Sequence, residues 1–92
     1  MHDNKLQQTV TIVNQLGLHA RAATKLAQLC QQFTASIELQ QEGRTADASS
    51  VLALLMLASS KGKTVEVITQ GEQAAAALQA VVELIESGFD EE

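Results

Sequence analysis

The hydrophobic residues of this chain repeatedly change their spacing, from steps of two to steps of three and four. Alternation in steps of two is typical of a strand with one buried face, and steps of three and four are typical of an amphipathic helix. The alternating segments predict strands at 9–13, 36–40, 44–48 and 64–68. The helical stripes predict a helix from Ala20, a second helix after Ser49 or Ser50, and a long third helix whose stripe comprises Ala74, Ala77, Leu78, Val81 and Ile85. The predicted order is therefore β-α-β-β-α-β-α.

This order, in a chain of 92 residues, leaves room for one core between two layers. Short connections, and strands whose apolar residues all lie on one face, favour an antiparallel sheet that carries its helices on one face. We therefore predict an α+β fold, an open-faced β-sandwich with a four-stranded antiparallel sheet and three helices on one face. It forms a single domain over residues 1–92, and we expect frayed ends at 1–7 and 90–92.

Polar and glycine residues predict where the helices begin and end. A serine at 49–50 can cap the second helix, and the Lys-Gly pair at 61–62 is typical of a helix end. The segment 69–72 resembles a capping box for the third helix. We expect Gly88 to close that helix in the left-handed conformation, with Phe89 folding back onto its last turns.

Charge and composition exclude several function classes. The formal charge is -5, but five of the eleven acidic residues lie in the last ten positions, and residues 1–82 are neutral. With 2% aromatic residues as well, the chain lacks the basic clusters and stacking rings of a nucleic-acid binder. A single cysteine, Cys30, excludes an intrachain disulfide and a thiolate metal site, and it falls on a buried helical stripe. We see no secretory signal or bilayer-length apolar run, and expect a cytoplasmic protein.

The segment LGLHARAATKLA, residues 16–27, carries the strongest functional signal. If the helix begins at Ala20, His19 is its N-cap, where unpaired N–H groups and the helix dipole attract anions. The backbone of Ala20, Arg21 and Ala22 can then cradle a phosphate, and the Arg21 guanidinium suits phosphate oxygens. The positive end of the helix dipole also disfavours protonation of the His19 imidazole. His19 is therefore arranged to accept a phosphoryl group as a neutral nucleophile. On spacing alone, a solvent-exposed cap histidine is the alternative interpretation.

The motif GLHARAA at a strand-to-helix turn, within this order of elements, resembles the HPr family of phosphocarriers of the bacterial phosphotransferase system. The resemblance extends from residue 10 to residue 84, and SSVLALLMLASSKGKTVEV and SGFDEE are most similar to the nitrogen-related branch. It implies phosphorylation of His19 at Nδ1, with Arg21 stabilising the phosphoryl group. It also implies a donor of the enzyme I type, phosphorylated from phosphoenolpyruvate, an acceptor of the enzyme IIA type, and a regulatory role. Such a carrier is phosphorylated stoichiometrically, is not itself an enzyme, and needs no metal or organic cofactor; we expect a monomer.

The chain departs from the family pattern at Ala22, where the family usually has proline. Proline would fix φ and remove one N–H from the first helical turn. Alanine leaves the helix start freer and supplies an additional donor.

The predicted second helix is apolar nearly all around. A sheet can bury only one face of a helix. Either the remaining apolar side chains are exposed and available to a partner, or the helix is buried on more than one face. The resemblance implies a docking surface for donor and acceptor, formed by Ala20, Arg21, Thr24, Val51, Leu52, Leu55 and Met56. Ser50 matches a serine that is phosphorylated in some family members, although a role as N-cap is sufficient to explain it.

Two further functions are compatible with parts of the sequence. A regulatory module could bind a partner through the apolar helix independently of phosphorylation. A small hydrolase of acylphosphatase-like architecture would need a glycine-rich phosphate loop before a helix, and only Gly17 is present there.

Overall fold

The computed structural model describes residues 5–91. It contains β1 (Lys5–Thr11), α1 (Ala20–Cys30), β2 (Ser36–Gln41), β3 (Arg44–Asp47), α2 (Val51–Leu57), β4 (Thr64–Gln70) and α3 (Ala74–Glu86). The strands form one antiparallel sheet in the order β1-β4-β2-β3. The predicted order of elements and the open-faced sandwich are confirmed.

The core lies between the helices and one face of the sheet. In β4, one of the two interior strands, Val65, Val67 and Thr69 are buried and alternate with more exposed residues, which is the period of a strand with one covered face. Val10 of β1 pairs with Val65, and Leu39 of β2 pairs with Val67, so the apolar stripes of neighbouring strands meet in register. On α1 the buried face comprises Ala22, Ala23, Leu26, Ala27 and Cys30. On α3 it comprises Ala74, Ala77, Val81, Val82 and Ile85.

The N-terminal strand begins four residues earlier than the sequence pattern predicts. Residues 5–7, expected to be frayed, pair with residues 68–70 of β4. Because Gln7 and Gln8 are both polar, this part of the strand has no alternation to reveal it, and β4 supplies the backbone partners instead. Residues 1–4, the remainder of the expected frayed segment, lie outside the described residues.

Helix α2 ends at Leu57, and the prediction that it continues to Lys61 is wrong. Ala58 adopts the left-handed conformation with φ 56°, and its N–H donates to the Leu55 carbonyl at 3.1 Å. The Ser59 carbonyl accepts from the N–H of Leu18 at 2.9 Å, outside the helix. This contact with a loop that is distant in sequence therefore outweighs the helix propensity of residues 58–61.

The predicted capping box of α3 is also wrong, whereas the predicted end of that helix is confirmed. Thr69 belongs to β4, is fully buried, and donates its hydroxyl to the Ala74 carbonyl at 2.8 Å. At the other end Gly88 has φ 72°, and the Phe89 N–H donates to the Leu84 carbonyl at 2.9 Å, as in a Schellman motif. The Phe89 side chain is completely buried, and this packing holds the start of the C-terminal segment against the core.

Cys30 lies in the core, as predicted, and is expected to be inert towards alkylation in the native protein. Burial, followed by the negative charge of Asp47, raises the pKa of its thiol from 9.0 to about 12. Since the thiolate is the reactive form, its fraction at about pH 8 falls roughly a thousandfold for this shift.

Mass spectrometry after iodoacetamide treatment at this pH should show an unmodified native protein and complete modification in denaturant. The denatured sample controls for reagent activity. Rapid stoichiometric labelling of the native protein would contradict the prediction.

Candidate functional site

His19 is the N-cap of α1, as the sequence predicts. It has extended backbone angles, φ -81° and ψ -177°, and its carbonyl accepts the N–H of Ala23 at 2.8 Å as the first bond of the helix. Its side chain makes no capping bond and is 27% exposed. The imidazole is therefore accessible at the helix start rather than turned into the core.

The first turn of α1 offers backbone donors next to this ring. The N–H groups of Ala20, Arg21 and Ala22 precede the first bonded N–H of the helix, so they are the groups that lack an intrahelical acceptor. Such groups, with the positive end of the helix dipole, form an anion-binding environment. Ala22 is fully buried, and Ala20 is exposed.

Arg21 is exposed and shares a cleft with His19. The cleft has a volume of about 470 Å³ and is lined by Gln15, Leu16, His19, Arg21 and Glu91. The structure thus places the predicted guanidinium and the predicted imidazole around one opening. A planar cation of this kind suits the oxygens of a phosphoryl group.

Glu91 contacts the imidazole directly, which the sequence analysis did not predict. Its Oε2 lies 2.5 Å from His19 Nε2, and its Oε1 accepts from Asn14 Nδ2 at 3.0 Å. These two hydrogen bonds lower the pKa of the Glu91 carboxyl below its usual value, and the bond with His19 has the larger effect. Glu91 belongs to the segment 90–92 that we expected to be frayed, and the sequence of that segment contains no signal for this contact.

A tight turn before α1 sets the position of His19. Gly17 has φ 64°, and its carbonyl accepts from Asn14 Nδ2 at 2.7 Å. The next residue, Leu18, is buried and donates its N–H to Ser59. His19 therefore follows two residues that are tied to the rest of the fold.

Helix α2 is partly exposed, whereas the sequence left open whether it is exposed or buried on more than one face. Leu52, Leu55 and Met56 are exposed, by 68%, 38% and 70%, while Leu54 and Leu57 are buried. The helix therefore buries one stripe and presents apolar side chains to solvent. An exposed group of large apolar side chains is typical of an interaction surface.

The remaining predicted docking residues are found on both helices. Val51 is half-buried, and Thr24 is exposed with its hydroxyl donating to the Ala20 carbonyl at 2.8 Å. Helices α1 and α2 pack against each other, so these residues lie on adjoining elements. Leu16, which lines the His19 cleft, and Val13 are further exposed large apolar residues, and neither was predicted.

Ser50 is the N-cap of α2, in agreement with the sequence. Its Oγ accepts the N–H of Ala53 at 3.1 Å. This bond accounts for a serine at the position without any modification.

Between residues 5 and 91, no cluster of three or more histidine, cysteine, aspartate or glutamate side chains has the arrangement of a metal site. No helix in this same range has the length and apolar character needed to cross a membrane.

Comparison with known proteins gives consistent matches over nearly the whole chain. The family model described as "PTS HPr component phosphorylation site" matches residues 6–87. The phosphocarrier protein NPr of Shewanella violacea is 52% identical over 87 residues, covering 95% of this chain and 96% of that protein. The protein of the same name from Escherichia coli strain K12 is 52% identical over 88 residues, covering 95% and 98%. The crystal structure of HPr-C-His from Thermoanaerobacter tengcongensis superposes with a TM-score of 0.90 at 33% identity, covering 95% of this chain and 98% of that one.

Proposed function

The chain belongs to the HPr family of phosphocarriers of the phosphotransferase system, and we propose that His19 is the residue on which it carries the phosphoryl group. The donor is an enzyme I type protein phosphorylated from phosphoenolpyruvate, and the acceptor is an enzyme IIA type protein. The observation that carries the proposal is the accessible imidazole of His19 at the start of α1, beside unpaired backbone N–H groups.

The reacting atom is Nδ1 of His19. Nε2 is engaged by Glu91, so Nδ1 is the ring nitrogen available to attack. Its lone pair forms a bond to phosphorus while the bond between phosphorus and the donor breaks, and that electron pair stays with the donor. The proton on Nε2 remains in place, so the phosphorylated ring carries a positive charge beside the negative phosphoryl oxygens. Transfer to the acceptor reverses these steps and regenerates the neutral ring.

The first turn of α1 holds the transferred group. The N–H groups of Ala20, Arg21 and Ala22 donate to the phosphoryl oxygens, and Arg21 supplies a compensating positive charge. Alanine at position 22 retains an N–H that the usual proline of the family lacks. The chain contributes binding and orientation, and its partners supply most of the catalysis.

Donor and acceptor dock on the surface around the cleft. The exposed apolar residues of α2, Leu52, Leu55 and Met56, supply contact area, with Val51 at the helix start. Ala20 and Thr24 on α1 connect this surface to His19. One surface serves both partners in turn, because both must reach the same imidazole.

The relay is regulatory and belongs to a nitrogen-related phosphotransferase system in the cytoplasm, with this chain acting as a monomer. Support comes from the two relatives named NPr, which share about half of their residues with this chain over nearly full length. The motifs SSVLALLMLASSKGKTVEV and SGFDEE support the same branch.

The test is phosphorylation of the purified protein by phosphoenolpyruvate and the cognate enzyme I. Intact-mass measurement should show one added phosphate that is lost in acid, since phosphorus bound to an imidazole nitrogen is acid-labile. A reaction without enzyme I is the control. The absence of an adduct, or an adduct stable to acid, would reject the proposal.

A second function is favoured by the exposure of Leu52 and Met56 in particular. Through these side chains the protein can act as a regulatory binding module whether or not His19 is phosphorylated. A variant that cannot be phosphorylated separates the two functions.

A further inference from the structure

We propose that Glu91 is a positioning residue that holds His19 in the tautomer able to accept a phosphoryl group, and that Asn14 holds Glu91 in place. This inference rests on the function proposed above, in which Nδ1 of His19 is the nucleophile. It assigns a role to a carboxylate that lies 72 residues from His19 in the chain.

The contacts form a continuous chain from the turn before α1 to the imidazole. Asn14 is 6% exposed, and its Nδ2 donates both to the Gly17 carbonyl and to Glu91 Oε1. The other carboxylate oxygen, Oε2, meets His19 Nε2. The amide therefore fixes the carboxylate relative to the same turn that positions the histidine.

The C-terminal segment is folded so that this contact can form. Residues 88–90 have φ values of 72°, 58° and 61°, which turn the chain back from α3 towards α1. The buried ring of Phe89 anchors the turn, and the Phe89 carbonyl accepts from Lys25 Nζ on α1 at 2.8 Å. The Glu91 N–H donates to the Gly88 carbonyl at 3.1 Å and extends the turn. Glu91 is thus placed by packing and hydrogen bonds rather than lying in a solvated tail.

The contact determines which ring nitrogen carries the proton. An ionised carboxylate can only accept hydrogen bonds, so its partner Nε2 must be the protonated nitrogen. In the neutral ring Nδ1 then has no proton and presents its lone pair. The opposite tautomer would leave a proton on Nδ1 and two lone pairs facing each other at Nε2 and Oε2.

The same carboxylate also faces the charge that develops during transfer. When Nδ1 bonds to phosphorus, the proton stays on Nε2 and the ring becomes a cation. Glu91 is hydrogen-bonded to that N–H, so it stabilises the phosphorylated ring more than the free neutral ring. Glu91 therefore affects the rate of phosphoryl transfer as well as the tautomer of the unphosphorylated ring.

The first test reads the tautomer without any phosphorylation. In ¹⁵N-labelled protein, at a pH high enough that the shifts no longer change with pH, the imidazole shifts of His19 should indicate an unprotonated Nδ1 and a protonated Nε2. In Glu91→Ala the two shifts should move towards the averaged values of free histidine. Glu86→Ala is the matched control, because it removes an equal charge from an exposed glutamate near the end of α3. Averaged shifts in the unmodified protein, or shifts unchanged in Glu91→Ala, would overturn the proposal.

The second test measures the initial rate of phosphorylation by phosphoenolpyruvate and enzyme I. We expect Glu91→Ala to be about three- to tenfold slower, the range for losing one ordinary hydrogen bond, because solvent screens the charge at a partly exposed site. We expect Glu86→Ala to match the unmodified protein. A shifted tautomer with an unchanged rate would overturn the role in transfer. If the unmodified protein takes up no phosphoryl group, the proposed function fails and the transfer role fails with it, while the imidazole shifts still decide whether Glu91 selects the tautomer.

Discussion

Replacing His19 with alanine is expected to abolish phosphoryl uptake. The variant removes the only nucleophilic ring at the start of α1, and neither the backbone cradle nor Arg21 can form a bond to phosphorus. We expect the rate of phosphorylation by enzyme I to fall by at least about a thousandfold, as when a covalent nucleophile is removed. Intact-mass measurement and the release of labelled phosphate in acid both report the loss.

The fold of this variant should survive. The His19 side chain makes no capping bond and is partly exposed, so the melting temperature should change by less than about 5 °C. His2→Ala is the matched control, since it removes the other histidine of the sequence and should accept a phosphoryl group normally. An acid-labile adduct that persists in His19→Ala would contradict the assignment, and its loss in His2→Ala would assign it to the other histidine.

The same variant also tests the second function. If the protein regulates a partner through the exposed face of α2 alone, His19→Ala will still bind that partner and alter its activity. If regulation requires the phosphoryl group, the variant will bind without any phosphorylation-dependent effect.

Replacing Gly17 with alanine is expected to lower the free energy of unfolding by about 2–4 kcal/mol. Gly17 has φ 64°, a conformation that residues with a Cβ adopt at a cost. A Cβ here would also lie 2.6 Å from the Ser59 carbonyl oxygen and 2.8 Å from the Ser60 Cα. Both are backbone atoms, so no side-chain rotation relieves the clash, and the turn before His19 must move away from the loop after α2.

Urea denaturation followed by circular dichroism measures this loss. Gly43→Ala is the matched control: Gly43 has φ 82°, yet no atom lies within 4 Å of the added Cβ. It should show the conformational cost alone, about 1 kcal/mol. Equal losses in the two variants would contradict the role of the close contact at Gly17.

Much of the fold follows from periodicity. The alternating residues of β4 and the helical stripes of α1 and α3 indicate which faces are buried, and the structure buries those faces. The change of the apolar spacing at Ala20 predicts the start of α1 there. That prediction located His19 at a helix N-terminus, and the local chemistry of the candidate site follows from it.

The incorrect predictions concern segments where residue type and tertiary contact compete. Residues 58–61 suit a helix, but Ser59 bonds to the turn before α1 instead. Thr69 suits an N-cap, but its place in β4 directs the hydroxyl into the core. Residues 5–7 show no apolar alternation, yet the adjacent edge of β4 gives them backbone partners.

By itself, the sequence determined the order of elements, the buried faces and a histidine at the start of α1, because each depends on spacing between residues close together in the chain. Only the tertiary structure decided that α2 exposes Leu52 and Met56, and that Glu91 reaches the ring of His19. Both depend on how distant segments pack. The contact between residues 19 and 91 forms because Phe89 enters the core and the turn at 88–90 directs the chain back to α1. A local pattern carries no information about such a contact, since the free energy that stabilises it comes from groups brought together only by folding.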